Sequence, residues 1–301
     1  MLLRERFGAL LLDLDGTLYR GQEVVPGAPE ALSAADGQQL VYVTNNASRS
    51  AAAVAEHLHE LGFGAREDEV VTSAQAAAHM LAERLDPGAV VLVVGSDDLV
   101  AEVKAVGLQP IRRFGGDAPA AVVQGHSPNT AWADLAEAAY ALRSGALWVA
   151  ANTDATLPTE RGLAPGNGSM VAALRTASDR DPIVAGKPYA PLLEDALIRA
   201  GTRDALVVGD RLDTDIDGGH TVGLESLMVL TGVSTLGDLR TRSAYQHPTY
   251  VAESLDALNH PVADTPTITD EDGDIVDAIT ARLREYPGRA IPVAAPPVAP
   301  N

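Results

Sequence analysis

A four-residue apolar run, Ala9–Leu12, stops abruptly at Asp13 and Asp15, and Gly16 and Thr17 follow. A run this short, closed by a turn signal, predicts a strand buried on both faces, the kind found inside a parallel sheet. Alternation along the strand aims Asp13 and Asp15 the same way and turns Leu14 into the core. Ligands of such sheets sit just beyond the carboxyl ends of strands. Two carboxylates gathered there repel unless a cation or a proton offsets them. Asp15-Gly16 alone also reads as a turn, but that leaves Asp13 without a reason. The pair asks for a metal, a proton, or both.

The pattern recurs along the chain. Apolar runs at Leu40–Thr44, Val90–Val94, Ala120–Gln124, Leu147–Ala151, Ala205–Val208 and Ser226–Leu230 predict further strands, with a shorter one at Val70-Val71. Between them the sequence predicts helices over 30–36, 50–61, 73–85, 98–106, 131–144, 169–177 and 190–200. Strands alternating with helices make an α/β protein with a second α/β domain of its own alternating elements. The turn Asp86-Pro87-Gly88 marks a boundary. The expected division is a first block over 1–82, a second α/β domain over 83–181, and the first pattern again over 182–261, where Ile183–Ala185 opens its return. An extension, 262–301, carries a modest helix near Ile275–Tyr286 and ends in a Pro/Ala-rich stretch, Ala290–Asn301, expected to be disordered.

Composition narrows the function. The chain has 301 residues and a formal charge of −19, which argues against nucleic acid and against an anionic membrane surface. It still admits a small anionic substrate, because a metal and one local cation reverse the sign inside a cleft. There are no cysteines, hence no disulfides and no thiolate nucleophile. Asp13 breaks the first apolar run too early for a secretory signal, and no stretch is long enough to span a bilayer. A cytoplasmic protein is expected, with homodimerisation left open. Lys104 and Lys187 are its only lysines. In so arginine-biased a chain, a lysine at a strand end suggests a need for a compact ammonium.

Four strand ends carry unusual polar residues: Asp13 and Asp15; Thr44, Asn45 and Asn46; Lys187; and Asp210 with Asp215. A parallel sheet gathers such ends along one edge. The set suits phosphoryl transfer. A carboxylate can attack phosphorus, a hard cation takes carboxylate and carbonyl oxygens, and a lysine can neutralise charge spreading over the phosphoryl oxygens.

DLDGT, TNN, GKP and GDRLDTD, in that order, resemble the four motifs of the haloacid dehalogenase-like phosphatases. The match runs to about residue 260. The long insertion lies between Asn46 and Lys187, as in the subfamily of NagD-like and p-nitrophenyl phosphatases, and Gly21 with Pro26-Gly27-Ala28 is similar to that subfamily too. In finer detail TNNASRS, PTERG, PGNGSMVAALRTA and GDRLDTDI are similar to its actinobacterial glycerol 3-phosphate phosphatases. The resemblance implies a doubly wound (Rossmann-like) parallel sheet core, 1–82 and 182–261, with 83–181 as an inserted α/β cap domain, and a Mg²⁺-dependent phosphatase for a small phosphorylated metabolite. Asp13 is then the nucleophile and Asp15 the general acid, then base. Thr44, Asn45 and Asn46 bind the phosphoryl group and Lys187 ties it to Asp13. Asp13, the backbone carbonyl of Asp15, and Asp210 hold the Mg²⁺, and Asp215 acts from behind them. Glycerol 3-phosphate is the implied substrate. Phosphoglycolate, a nucleoside monophosphate, a sugar phosphate or pyridoxal phosphate is the alternative, as is a phosphotransferase on the same scaffold.

Other features carry plainer readings. Gly166-Asn167-Gly168 lacks the third glycine and the acidic partner of a dinucleotide loop and reads as a helix entry. His57 and His59 lie two apart on a predicted helix, do not share a face, and read as solvated. Asp217 suits a helix start. Arg161 and Asn152-Thr153-Asp154 face a substrate from the cap or form a structural turn, with equal warrant.

Overall fold

The computed structural model describes residues 1–33, 37–113, 115–159, 161–269 and 272–293. The ends of the expected 30–36 helix, Glu160 of PTERG and the tail 294–301 lie outside the described residues. The chain forms two compact units. One comprises 1–43, 55–70 and 193–301; the other comprises 44–54 and 71–192.

The first unit is built on a sheet in the order Ile291–Pro292, Tyr250–Ala252, Glu225–Val229, Ala205–Gly209, Ala9–Leu12, Gln39–Thr44, Val70–Thr72. Ala9–Leu12 pairs in parallel with both Ala205–Val208 and Gln39–Tyr42. It is therefore a central strand, which is why all four of its residues are apolar and buried. From it the chain first builds outward through Gln39–Thr44, then returns to build on the opposite side. The strand order thus reverses at Ala9–Leu12, and the crevice beyond its carboxyl end is where such sheets bind ligands.

The C-terminal stretch belongs to this unit. Asp274 caps the helix Ile275–Glu285 by accepting from the N–H groups of Val276 and Asp277 at 3.0 and 3.2 Å. Its stripe of Ile275, Ile279 and Leu283 joins Met228, Leu239 and Val251 in one apolar cluster. Ile291–Pro292, inside the stretch expected to be disordered, pairs antiparallel with Tyr250 and Val251.

The second unit has its own sheet, ordered Ile183–Val184, Leu147–Ala150, Ala121–Gln124, Val90–Val94, Gln109–Ile111. All its pairs are parallel. The helices Trp132–Arg143 and Asn167–Ser178 cover one face, where Val122, Trp148, Leu142 and Leu174 pack together. Ile183–Val184, which the sequence reading places at the start of the returning core, pairs with Val149 and Ala150 of this sheet. A hairpin, Thr156–Thr159 with Gly162–Pro165, occupies a Pro/Gly-rich segment in which the sequence reading places neither strand nor helix.

Candidate active site

Asp13 leaves the central strand with its backbone N–H donated to Val208 O at 2.9 Å. That bond sets it beside Gly209, one residue before Asp210 on the neighbouring strand. Asp210 is fully buried and Asp215 is 1% exposed. Carboxylate oxygens of Asp13, Asp210 and Asp215 all lie within 4.8 Å of one another. Each carboxylate has at least one oxygen held by a protein donor. The Thr17 hydroxyl donates to Asp13 Oδ2 at 3.3 Å, the Val233 N–H to Asp210 Oδ2 at 2.5 Å, and the Arg211 N–H to Asp215 Oδ2 at 3.1 Å.

Glycines make this crowding feasible. A Cβ on Gly16, which sits at φ +91°, would stand 2.5 Å from Asp210 Oδ2. One on Gly232 would overlap the Asp210 carboxyl group, and one on Gly209 would overlap that of Asp215. Thr231 donates its hydroxyl to Gly16 O at 2.7 Å, and Arg20 donates to Thr231 O, so the Gly232 loop is tied to the DLDGT turn. Three close carboxylates with one oxygen each held by a protein donor are an all-oxygen set that suits a hard divalent cation. Without one, gathering three like charges, two of them buried, is costly. Asp15, by contrast, is exposed.

The remaining predicted residues gather in the second unit. Thr44 is 5% exposed and its hydroxyl accepts the Asn46 N–H at 3.0 Å. Asn45 grips the Lys187 backbone from both sides. Its Oδ1 accepts the Lys187 N–H at 2.8 Å, and its Nδ2 donates to Lys187 O at 3.0 Å. Lys187 itself is 3% exposed. Asn46 turns its Oδ1 to Ser48, accepting from both the N–H and the hydroxyl.

The structure thus brings Asp13, Asp210 and Asp215 together in one unit, and Asn45 with Lys187 in the other. Asp15 stands outside the carboxylate cluster. Thr17, Gly232 and Val233 were missed by sequence reasoning. Thr17 does lie in the DLDGT motif, which was a signal to use; nothing local marks the other two. His57 corrects an expectation: it is 8% exposed rather than solvated, edge-on to Tyr19 with ring centroids 5.0 Å apart, while His59 is exposed. Gly166-Asn167-Gly168 does enter a helix, starting at Asn167.

A family model described as haloacid dehalogenase-like hydrolase matches residues 10–109, and one described as HAD-hydrolase-like matches 184–258. A D-glycerol 3-phosphate phosphatase of Mycobacterium tuberculosis is 58% identical over 257 residues, covering 85% of this chain and 72% of that protein. The crystal structure of a glycerol phosphate phosphatase of the same organism in complex with magnesium aligns with TM-score 0.85 at 50% identity, over 98% of this chain and 95% of that one. A p-nitrophenyl phosphatase from Archaeoglobus fulgidus aligns with TM-score 0.76 at 28% identity, over 90% of this chain and 99% of that one. Identity this high over most of the chain, on this sheet and with these carboxylates at its strand ends, settles the family: the chain belongs to the haloacid dehalogenase-like hydrolases.

Proposed function

We propose that this protein is a Mg²⁺-dependent phosphatase that hydrolyses glycerol 3-phosphate to glycerol and phosphate through an aspartyl phosphate on Asp13. The observation that carries the reading is the trio Asp13, Asp210 and Asp215, with oxygens within 4.8 Å of one another at the reversal point of the sheet. The 58% identical relative, named for glycerol 3-phosphate, supports the substrate.

The roles are those the family resemblance implies, and each suits the chemistry of its group. Asp13 and Asp210, with the carbonyl of Asp15, hold the Mg²⁺, and Asp215, inside the same cluster, completes or supports that set. When bound, the ion offsets the carboxylate charge and polarises the phosphoryl group. Asp13, one oxygen held by Thr17, attacks phosphorus with the other, and the bond from phosphorus to the glycerol oxygen breaks. Asp15, open to solvent, gives its proton to that leaving oxygen and later takes one from the attacking water. The water's oxygen bonds to phosphorus, phosphate departs, and Asp13 is restored. Thr44 and Asn45 bind the phosphoryl oxygens and Asn46 shapes their loop. Lys187 neutralises charge that spreads over those oxygens in the transition state. Residues 83–181 act as the cap that reads the alcohol. A cytoplasmic location accords with such a substrate.

The test is a panel of phosphomonoesters scored by kcat/KM, with glycerol 3-phosphate against phosphoglycolate, nucleoside monophosphates, sugar phosphates and pyridoxal phosphate. Glycerol 3-phosphate is expected to lead and Asp13→Asn to release no phosphate. Substantial turnover by that variant would refute the nucleophile. Transfer to an added alcohol at the expense of free phosphate would make the protein a phosphotransferase.

A further inference from the structure

Asn45 is itself held, and what holds it belongs to no family motif above. Its Nδ2 lies 3.3 and 3.4 Å from the two carboxylate oxygens of Asp154. Its backbone carbonyl accepts twice, from Ser73 Oγ and from Asn152 Nδ2, each at 2.6 Å. Asn152 in turn accepts the Asp154 N–H on its Oδ1 at 3.2 Å. The turn Asn152-Thr153-Asp154 therefore clamps Asn45 by side chain and by main chain together.

That turn is rigid. The Gly168 N–H donates to Asp154 O and the Gly166 N–H to Ala155 O, each at 2.9 Å. Ser169 Oγ donates to Ala155 O at 2.7 Å. A Cβ on Gly168 would stand 2.6 Å from the Thr153 carbonyl carbon and 2.9 Å from that of Asp154, so only glycine admits this approach. The helix entry read from Gly166-Asn167-Gly168 thus fixes where the Asp154 carboxylate points. From Asn45 the contacts pass to Lys187. Gly186 belongs with them, since a Cβ there would lie 2.6 Å from Asn45 Oδ1.

We propose that Asp154 is a positioning residue for the reaction, acting through the Asn45 side chain to fix the backbone of Lys187 and so the place from which its ammonium works. The proposal rests on the reading of Lys187 as the cation of the phosphoryl site. It explains why a carboxylate stands in this turn. An Asn amide gripping both main-chain groups of one residue has to keep its plane. Asp154 accepts a charge-assisted bond from the Nδ2 that also donates to Lys187 O, and so fixes the plane of the amide. A lysine displaced by even about 1 Å would lose most of its value to the transition state.

The chain's two lysines give a readout independent of activity. The full-length protein labelled with ¹⁵N-lysine shows two lysine backbone amides, from Lys104 and Lys187, told apart with Lys104→Arg. Asp154→Ala should shift the Lys187 amide and speed its hydrogen exchange, leaving Lys104 in place. It should lower kcat about tenfold to a hundredfold with little change in KM, the mark of a contact felt in the transition state. Asp154→Asn, which keeps an acceptor for Asn45, should stay within about threefold of the wild type. In the Asn45→Ala background Asp154→Ala should cost no more than about a further twofold, since the two act in series. An unmoved Lys187 amide with unchanged kcat, or losses that simply add, would overturn the proposal. Should Asp154→Ala fail to fold, the exchanged pair Asn45→Asp with Asp154→Asn decides. Recovery of kcat over Asn45→Asp alone supports the link, and no recovery overturns it. A wild-type protein that released no phosphate would overturn the functional reading instead, and is recognised because the lysine spectrum would stay as described.

Discussion

Gly232 offers the sharpest test of the carboxylate cluster, because the three atoms nearest a Cβ there all belong to Asp210, so that its replacement acts on that side chain by sterics. No positive φ is involved there, so Gly232→Ala adds a methyl and no backbone strain. That methyl would stand 2.5 Å from the Asp210 Cβ and overlap its carboxyl group, where ordinary carbon contacts need about 3.5–4 Å. Asp210, fully buried, must retreat by about 1 Å and abandon the Val233 N–H. Overpacking costs about 1–3 kcal/mol, and a hydrogen bond to a charged group about 1.5–3 kcal/mol. Since relaxation relieves part of both, about 2–4 kcal/mol is expected. At about 2–4 °C per kcal/mol for a chain of this size, Tm should fall by about 5–15 °C in circular-dichroism melts without Mg²⁺. Displacing one ligand of the trio should weaken Mg²⁺ binding about tenfold to a hundredfold by titration calorimetry, with a comparable fall in kcat. Gly237→Ala is the control, because its Cβ would meet only Thr235 Oγ1 at 3.5 Å. It should stay within about 0.5 kcal/mol of wild type. A Gly232→Ala protein that binds Mg²⁺ and turns over normally would refute the crowding of Asp210 and the part assigned to it.

Chelation should remove phosphate release, and added Mg²⁺ should restore it. Because the ion relieves repulsion among Asp13, Asp210 and Asp215, Tm should drop and recover in parallel; activity indifferent to EDTA would count against the metal. Thr17→Val deletes the 3.3 Å hydroxyl contact to Asp13 while filling the same buried space. It should lower kcat about fivefold and stability by about 1 kcal/mol, measured by steady-state kinetics and urea unfolding. Burial pushes the His220 imidazole below its usual 6.5, a pull that the Asp217 charge and a hydrogen bond with the His247 backbone only partly oppose. The unfolded chain therefore takes up that proton at a higher pH than the folded one, and stability should decline as pH falls through 6.5. His220→Gln should flatten the slope in urea titrations between about pH 5 and 8.

What could be read from the residues alone divides along a physical line. Ala9–Leu12, Val90–Val94 and Ala205–Gly209 were legible because burial on both faces demands an unbroken apolar run. Asp13 and Asp210 were legible because each terminates such a run, where a carboxylate has no structural excuse. Ile183–Val184 went to the wrong sheet because two residues say nothing about a partner, and pairing with Val149 and Ala150 is a fact about distant chain. The hairpin Thr156–Thr159 with Gly162–Pro165 hid behind its Pro and Gly, which punctuate loops far more often than strands. The site shows the same limit more severely. Carboxylates and a lysine announce themselves by residue type at a strand end. Gly232 and Asp154 do not, since a glycine is required only by a carboxylate that folds back onto it, and an aspartate in a turn looks the same whether it caps its own backbone or steadies Asn45. The chemistry of such an enzyme is written in short motifs, and the rigidity that aims it is written in contacts between motifs. Variants outside DLDGT, TNN, GKP and GDRLDTD, beginning with Gly232 and Asp154, are therefore where the mechanism has most left to disclose.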